Sequence, residues 1–298
     1  RLVHRGPDNG GEWLSPRQRI GFGHRRLSII DTSHTADQPM RSLDGRLVIV
    51  FNGEIYNYQE IRNELRSKNV TFSTESDTEV LLEAYRHWGE DVLLRLNGMF
   101  AFAIWDERIN RVFVARDRFG EKPLFIGRGA LGVVAVASEM KALFAHPQIK
   151  CQVNDVALDL YCNNSWYEDH ELTFFDNVER LPAAHALWLG EDGKELKRWR
   201  YWTPDYSAIN YDITPREAVD EFERLLCKSV QQRLRADVPV GSSLSGGLDS
   251  SAIVGIIAQQ IGNQSISQNT FSACFPNDPT ISEDREIDLV SNYVGVKS

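Results

Sequence analysis

The sequence predicts an α+β layered domain followed by the start of an α/β domain built on a parallel sheet. Three observations carry that prediction. In the longer N-terminal part, strand-like runs are joined mainly by hairpin signals, with two helices among them, which suits a layered α+β sandwich. After Trp202 the character changes: Thr203 to Ile213 is polar and irregular and contains Pro204. A boundary is expected there, with residues 1–205 on one side and 206–298 on the other. Finally, a strand, a Ser/Gly turn, a helix and a second strand follow one another between Val238 and Phe275. Such a βαβ unit requires parallel neighbours, and ligands bind outside the carboxyl ends of its strands.

Taken in order, His4-Arg-Gly-Pro-Asp8 reads as a turn and Gly21 to Asp31 as a strand. From Arg26 the alternation places Leu27 and Ile29 on one face, both expected in the core, and Arg26 and Ser28 on the other. Asp44-Gly45 signals a hairpin leading into the strand Arg46 to Phe51. A helix is expected from about Tyr58 to Lys68. A second begins near Asp77, carries Val80, Leu81, Ala84, Tyr85 and Trp88 at helical spacing, and stops at Gly89. Met99 to Trp105 and Arg111 to Ala115 flank a polar turn as a hairpin. Shorter strands are expected at 124–126, 133–137 and 185–189. Beyond the boundary, Thr214-Pro-Arg-Glu217 has the form of a capping box with Pro at the first helical position. The helix it opens carries Val219, Phe222, Leu226, Val230 and Leu234 on one stripe.

Composition excludes several classes. The chain has 298 residues, 42% hydrophobic and 25% charged, enough for two separate cores. No apolar run approaches the ~20 residues that span a bilayer, and no signal peptide opens the chain, so no membrane partner is expected. The four cysteines (Cys151, Cys162, Cys227, Cys274) form no C-x-x-C pair. Neither a disulfide framework nor a zinc site is suggested, and a cytoplasmic location is expected. The net charge of −9, with no Lys/Arg block to offset it, argues against a nucleic-acid partner.

The most informative stretch is Ser245-Gly-Gly-Leu-Asp-Ser-Ser251. A Ser/Gly turn between strand and helix presents several backbone N–H groups to one point, and the helix dipole adds positive potential there. Gly246 and Gly247 let the backbone approach a phosphate oxygen closely. The loop lacks the Lys that a G-x-x-x-x-G-K-[ST] loop sends to the terminal phosphates. Asp249 beside bound phosphate makes sense as a partner for a divalent cation. A pyrophosphate-gripping loop meets these conditions; a plain Ser/Gly turn with a first-turn acid is the alternative. The run resembles the signature of the ATP-pyrophosphatase (PP-loop) superfamily, and the wider string from Asp237 to Ser251 resembles the version found in the asparagine synthetase family.

Gly23 to Asp31, Phe51-Asn-Gly-Glu-Ile-Tyr-Asn57, Ser76-Asp-Thr-Glu79, Asn97 to Phe102, Ala115-Arg-Asp-Arg-Phe-Gly120 and Ala137-Ser-Glu-Met-Lys-Ala142 together resemble the glutaminase half of that family. The resemblance implies a class II glutamine amidotransferase domain with an Ntn-hydrolase-like fold, followed by the PP-loop synthetase domain. It makes Asn52 and Gly53 the oxyanion donors, Asn through its side-chain amide and Gly through its backbone N–H; an Asn-Gly hairpin turn is the other reading of that pair. Arg26 would clamp the glutamine α-carboxylate with its planar fork. Leu27 and Ile29 would lay their backbone against the ligand, and Glu54 and Asp77 would receive its α-ammonium. Asp77 also fits as a helix first-turn acid. Leu244, Ser245, Gly246, Gly247, Leu248, Asp249, Ser250, Ser251 and Ala273 would bind ATP, with Asp249 holding Mg2+. Met99, Phe100 and Phe102 read as hairpin core, or alternatively as lining a passage for ammonia.

In this family the nucleophile is an N-terminal cysteine whose own α-amino group serves as base. Residue 1 here is Arg and no cysteine lies near it, so a nucleophile segment is expected ahead of the chain. Much of the synthetase domain, including the residues that choose the acceptor, is expected beyond Ser298. The function implied is ATP-driven amidation of L-aspartate through an acyl-adenylate, with glutamine supplying ammonia and a homodimer as the expected assembly. Two alternatives stay open: the same architecture acting on a sugar acid or peptide carboxylate, and a non-catalytic relative that senses nucleotide or glutamine.

Overall fold

The computed structural model describes residues 1–164, 171–261, 268–275, 278 and 282–296. The chain divides into two compact units, Arg1–Asp205 and Tyr206–Ser298.

The first unit contains, in order, β1 (Asn9–Leu14), β2 (Gly21–Arg26), β3 (Met40–Arg41), β4 (Leu47–Ile55), α1 (Tyr58–Ser67), α2 (Asp77–Trp88), α3 (Val92–Arg95), β5 (Gly98–Asp106), β6 (Arg111–Arg116), β7 (Phe125–Arg128), β8 (Val134–Ala137), α4 (Met140–Leu143), α5 (Asp155–Asn164), β9 (Val178–Arg180), β10 (His185–Gly190) and β11 (Glu195–Arg200). Six strands form one antiparallel sheet in the order β11-β10-β6-β5-β4-β3. Alternate side chains along β4 point to opposite faces. Leu47, Ile49 and Phe51 pack beneath α1 and α2 with Phe102, Phe113, Leu81 and Tyr85. Val48 faces the other way, onto Leu124, Ile126 and Leu181, with Val134 and Val136 of β8 beside them. Strands β8-β7-β9 and β1-β2 form two smaller sheets, so the sandwich has a helical layer, a central sheet and a second strand layer. Phe100 and Phe102 are buried in the core under the helices, as the hairpin-core reading of that segment has it, and Phe102 also borders the cavity described below.

Helix α2 starts where its sequence says. The Ser76 hydroxyl caps it by accepting from Thr78 N at 3.0 Å, and Gly89 ends it at φ +59°. The strand expected from Gly21 to Asp31 stops earlier, at Arg26. Leu27 is exposed and Ile29 only partly covered, while Arg26 and Ile30 are the buried residues. The core placement of Leu27 and Ile29 is therefore corrected. The chain leaves the ladder because the buried Arg26 guanidinium collects the carbonyls of the following loop, and Asp31 turns the backbone at φ +53°.

The second unit contains α6 (Pro215–Arg233), β12 (Gly241–Ser243), α7 (Leu248–Ile261), β13 (Asn269–Phe271) and α8 (Asp284–Val294). The capping box at Thr214 forms: Glu217 N donates to Thr214 Oγ1 at 3.3 Å and Thr214 N to a Glu217 carboxylate oxygen at 3.0 Å. Of the stripe expected on α6, Val230 is buried while Val219 and Phe222 stand exposed among the described residues. Strands β12 and β13 pair in parallel, Gly241 to Asn269 through Ser243 to Phe271, with α7 between them in sequence. Both are shorter than the sequence suggests. Leu244, Val254 and Ile287 form the core of this unit.

Candidate active site

Strand β4 ends in Asn52-Gly53-Glu54-Ile55, and this end opens onto a cavity of about 1150 Å³ within the first unit. Arg26, Leu27, Ile29, Asn52, Gly53, Glu54 and Asp77, drawn from three separate stretches of chain, all line it. Among the described residues that line it, none is a cysteine.

Gly53 is required by its surroundings. A Cβ built there would lie 2.0 Å from Met99 O and 2.8 Å from Phe100 Cα on the paired strand, at a φ of +152° that side-chain-bearing residues rarely adopt. The residue before Asn52 is pinned on both sides. Phe51 N donates to Gln38 Oε1 at 2.6 Å, and His24 Nε2 lies 3.1 Å from Phe51 O. A carbonyl only accepts, so Nε2 carries the proton. Burial lowers the His24 pKa to about 4, with the Phe51 hydrogen bond opposing it, so the ring is neutral near pH 7. Gln38 Nε2 continues the chain of bonds to Thr78 Oγ1 at 3.3 Å. Neither His24 nor Gln38 is singled out by the sequence reading, because each acts on a strand far from it in the chain.

Asp77 is both a first-turn residue of α2 and a member of the cavity wall. It is almost fully buried, and its Oδ2 accepts from Ile55 N at 3.0 Å, tying the helix start to the end of β4. Burial pushes its pKa up to about 7; the Ile55 hydrogen bond opposes this and the nearby Glu54 charge adds to it. Glu54 is also raised, again mainly by desolvation, with Lys122 pulling the other way. Two acids confined at one wall favour a cationic guest, which would relieve both their desolvation and their mutual repulsion.

Arg26 is placed differently from a free clamp. Its Nη1 donates to Ser33 O at 2.8 Å and Asp37 Oδ1 at 3.0 Å, and its Nη2 to Ile30 O at 3.3 Å and to Asp31 O. Its four Nη hydrogens thus have protein acceptors, and a ligand carboxylate would have to displace one of them. What Arg26 does in this arrangement is shape the loop that carries Leu27 and Ile29 along the cavity.

In the second unit, Ser245-Gly246-Gly247 joins β12 to α7 at the carboxyl end of the parallel strand. Leu244 is buried, and its N donates to Phe271 O at 3.0 Å. Gly246 adopts φ +82°, and a Cβ there would meet Glu286 Cβ at 2.6 Å. The loop is braced by its own hydroxyls: Ser245 N donates to Ser250 Oγ at 3.2 Å, and Ser250 Oγ to Gly247 O at 3.2 Å. Leu248 and Asp249 are exposed at the helix start, and Ser251 Oγ is buried without a hydrogen-bond partner among the described residues. Ala273 is exposed just past the end of β13. A helix N-terminus fronted by such a loop attracts an anion.

The family described as a glutamine amidotransferase domain matches residues 1–202, and the family described as asparagine synthase matches residues 221–298. A Mycobacterium tuberculosis protein that bears an asparagine synthetase (glutamine-hydrolysing) name is 42% identical over 267 residues, covering 86% of this chain and 40% of its own length. Asparagine synthetase (glutamine-hydrolysing) 3 of Bacillus subtilis is 39% identical over 259 residues, covering 86% of this chain and 41% of its own length. The chain therefore spans about 40% of the length of these relatives. No helix among the described residues is long and apolar enough to cross a membrane.

Proposed function

The chain belongs to the glutamine amidotransferase domain family, with an asparagine synthase segment after that domain, and from this premise we propose that it works as a glutamine-dependent asparagine synthetase. The observation that supports this most is the gathering of Asn52, Gly53, Glu54 and Asp77 on one cavity at the end of β4. In this reading the two acids receive the α-ammonium of glutamine, and the loop from Leu27 to Ile29 lies along its backbone. The Asn52 amide and the Gly53 N–H stabilise the oxyanion that forms as the side-chain amide is cleaved to glutamate and ammonia. Removing one such donor costs about 3 kcal/mol of transition-state stabilisation.

The second unit supplies the driving force. A carboxylate repels nucleophiles and has no good leaving group. Attack of its oxygen on the α-phosphorus of ATP expels pyrophosphate and leaves an acyl-adenylate; ammonia then attacks the acyl carbon and AMP departs with one former carboxylate oxygen. The Leu244–Ser251 turn and α7 N-terminus grip the pyrophosphate, and Ala273 borders the adenine. The loop fits Mg2+ as a guest of mixed ligation: Asp249 is an exposed carboxylate beside an anion cradle, and Mg2+ is held by one or two carboxylates plus substrate phosphates. When bound it offsets phosphate charge. We take L-aspartate as the acceptor from the names of the relatives.

Two experiments on the full-length protein test this. With aspartate labelled by 18O in its side-chain carboxylate, one labelled oxygen must appear in AMP; label-free AMP would exclude an acyl-adenylate. In a Gly246→Ala variant the new methyl meets Glu286 Cβ and Ile287 N at a φ that disfavours alanine. ATP-dependent pyrophosphate release should drop at least about tenfold, and unchanged release would remove the loop from the phosphate site.

A further inference from the structure

One stretch that the sequence singled out, Ala137-Ser-Glu-Met-Lys-Ala142, has no part in the chemistry so far, yet it reaches the proposed oxyanion donor. Ser138 lies between β8 and α4 and lines the same cavity as Asn52. Its hydroxyl oxygen accepts a hydrogen bond from Asn52 Nδ2 at 3.4 Å, across 86 residues of sequence. The plane of an asparagine amide is set by a broad sp³–sp² torsion, so the strand that carries Asn52 does not by itself aim the amide. An amide nitrogen has two hydrogens, and engaging one with Ser138 leaves the second for the cavity.

Ser138 is itself held in place. The next residue, Glu139, receives Lys141 Nζ at 2.8 Å, His4 Nε2 at 2.9 Å and Arg5 Nη1 at 3.1 Å. Its carboxyl is drawn down to about 2, first by the Lys141 hydrogen bond and then by those of His4 and Arg5. The carboxylate is thus present throughout the neutral range and ties the short turn at Val3–Arg5 to the start of α4. A segment 134 and 135 residues away, at Arg5 and His4, thus reaches the residue beside Ser138.

We propose that Ser138 is a positioning residue for Asn52, fixing the plane of its amide toward the oxyanion, and that the Glu139 cluster with His4, Arg5 and Lys141 fixes Ser138. This rests on the glutaminase reading of the cavity. It assigns Ser138 no contact with glutamine, so its removal acts on the rate of hydrolysis rather than on substrate binding.

Four variants of the full-length protein decide it, with kcat and KM for glutamine hydrolysis measured separately: Asn52→Ala, Ser138→Ala, Ser138→Thr and the double Asn52→Ala/Ser138→Ala. The expected result is a kcat about 10²-fold or more lower for Asn52→Ala and about tenfold lower for Ser138→Ala, with KM unchanged within about twofold. Threonine keeps the hydroxyl and should restore kcat. The double variant should be no slower than Asn52→Ala alone, since Ser138 acts only through Asn52. A normal kcat in Ser138→Ala, a rise in KM in place of a fall in kcat, failure of threonine to rescue, or additive losses in the double variant would each overturn the proposal. A normal kcat in Asn52→Ala would overturn the glutaminase reading itself.

Discussion

Replacing Gly53 by alanine should strongly destabilise what the first unit builds around β4. The added methyl has no room: Met99 O and Phe100 Cα, at 2.0 and 2.8 Å, are backbone atoms of a paired strand and cannot swing aside as a side-chain tip would. Forcing β5 away also disturbs Phe100 and Phe102, both buried beneath the helices. Overpacking of about 1–3 kcal/mol adds to backbone strain of about 1–3 kcal/mol at φ +152°. The total is a large share of the roughly 5–15 kcal/mol that holds a domain folded. Gly23→Ala is the internal comparison, since nothing lies within 4 Å of a Cβ there; it should change stability by no more than about 1 kcal/mol. Urea unfolding of the two variants beside the parent reads the difference. Equal midpoints for Gly53→Ala and the parent would mean that the close approach of β4 and β5 is not as described.

Glutamine binding should weaken as pH falls below 7, and Asp77→Asn should both weaken it and abolish that pH dependence. Burial holds the Asp77 carboxyl protonated up to about pH 7, whereas an ammonium guest needs the carboxylate. Below that pH the protein must first lose a proton to bind, so KM for glutamine should rise by up to about tenfold per pH unit. Asparagine keeps an acceptor for Ile55 N but supplies no charge. Loss of a buried charged partner is worth about 3 kcal/mol or more, so KM should rise at least about 100-fold at pH 8. Stability moves oppositely. Because the folded pKa lies above the ordinary value of 3.8, the folded state holds the extra proton between about pH 4 and 7. Asp77 therefore destabilises the fold progressively as pH rises through that window, and by a constant amount above it. Asp77→Asn should remove this pH-dependent loss. A variant that binds glutamine as the parent does, or a parent whose KM is flat from pH 6 to 8, would take Asp77 out of the ammonium site.

Elements whose signals are local were legible in the sequence. Ser76 and Gly89 bracket α2, the polar turn between Trp105 and Arg111 closes the β5–β6 hairpin, and the Ser/Gly run marks the β12–α7 junction. Strand β1 was not legible: Asn-Gly-Gly-Glu-Trp-Leu has no strand pattern of its own and is extended because it pairs with β2. The reading of Leu27 and Ile29 as core carried the alternation past the end of β2, where Arg26 and Asp31 turn the chain by bonds that periodicity does not report. On α6 the stripe from Val219 to Leu234 expresses a face suited to burial, yet only Val230 of it is buried, and Val219 and Phe222 at its N-terminal end are exposed among the described residues. In the site, Asn52, Gly53, Glu54 and Asp77 come together as a block of motifs suggested. Gln38 and His24 bond to the backbone of Phe51, just before Asn52, and Ser138 to Asn52 itself, through bonds spanning 13, 27 and 86 residues, which no local pattern encodes.

Nitrogen labelling joins the two halves of the account in one measurement. Full-length protein given glutamine with a 15N side-chain amide, unlabelled aspartate and ATP should form asparagine whose side-chain amide carries the label, with glutamate, AMP and pyrophosphate in equal amounts. Label left wholly in free ammonium, or ATP converted to ADP and phosphate, would contradict it.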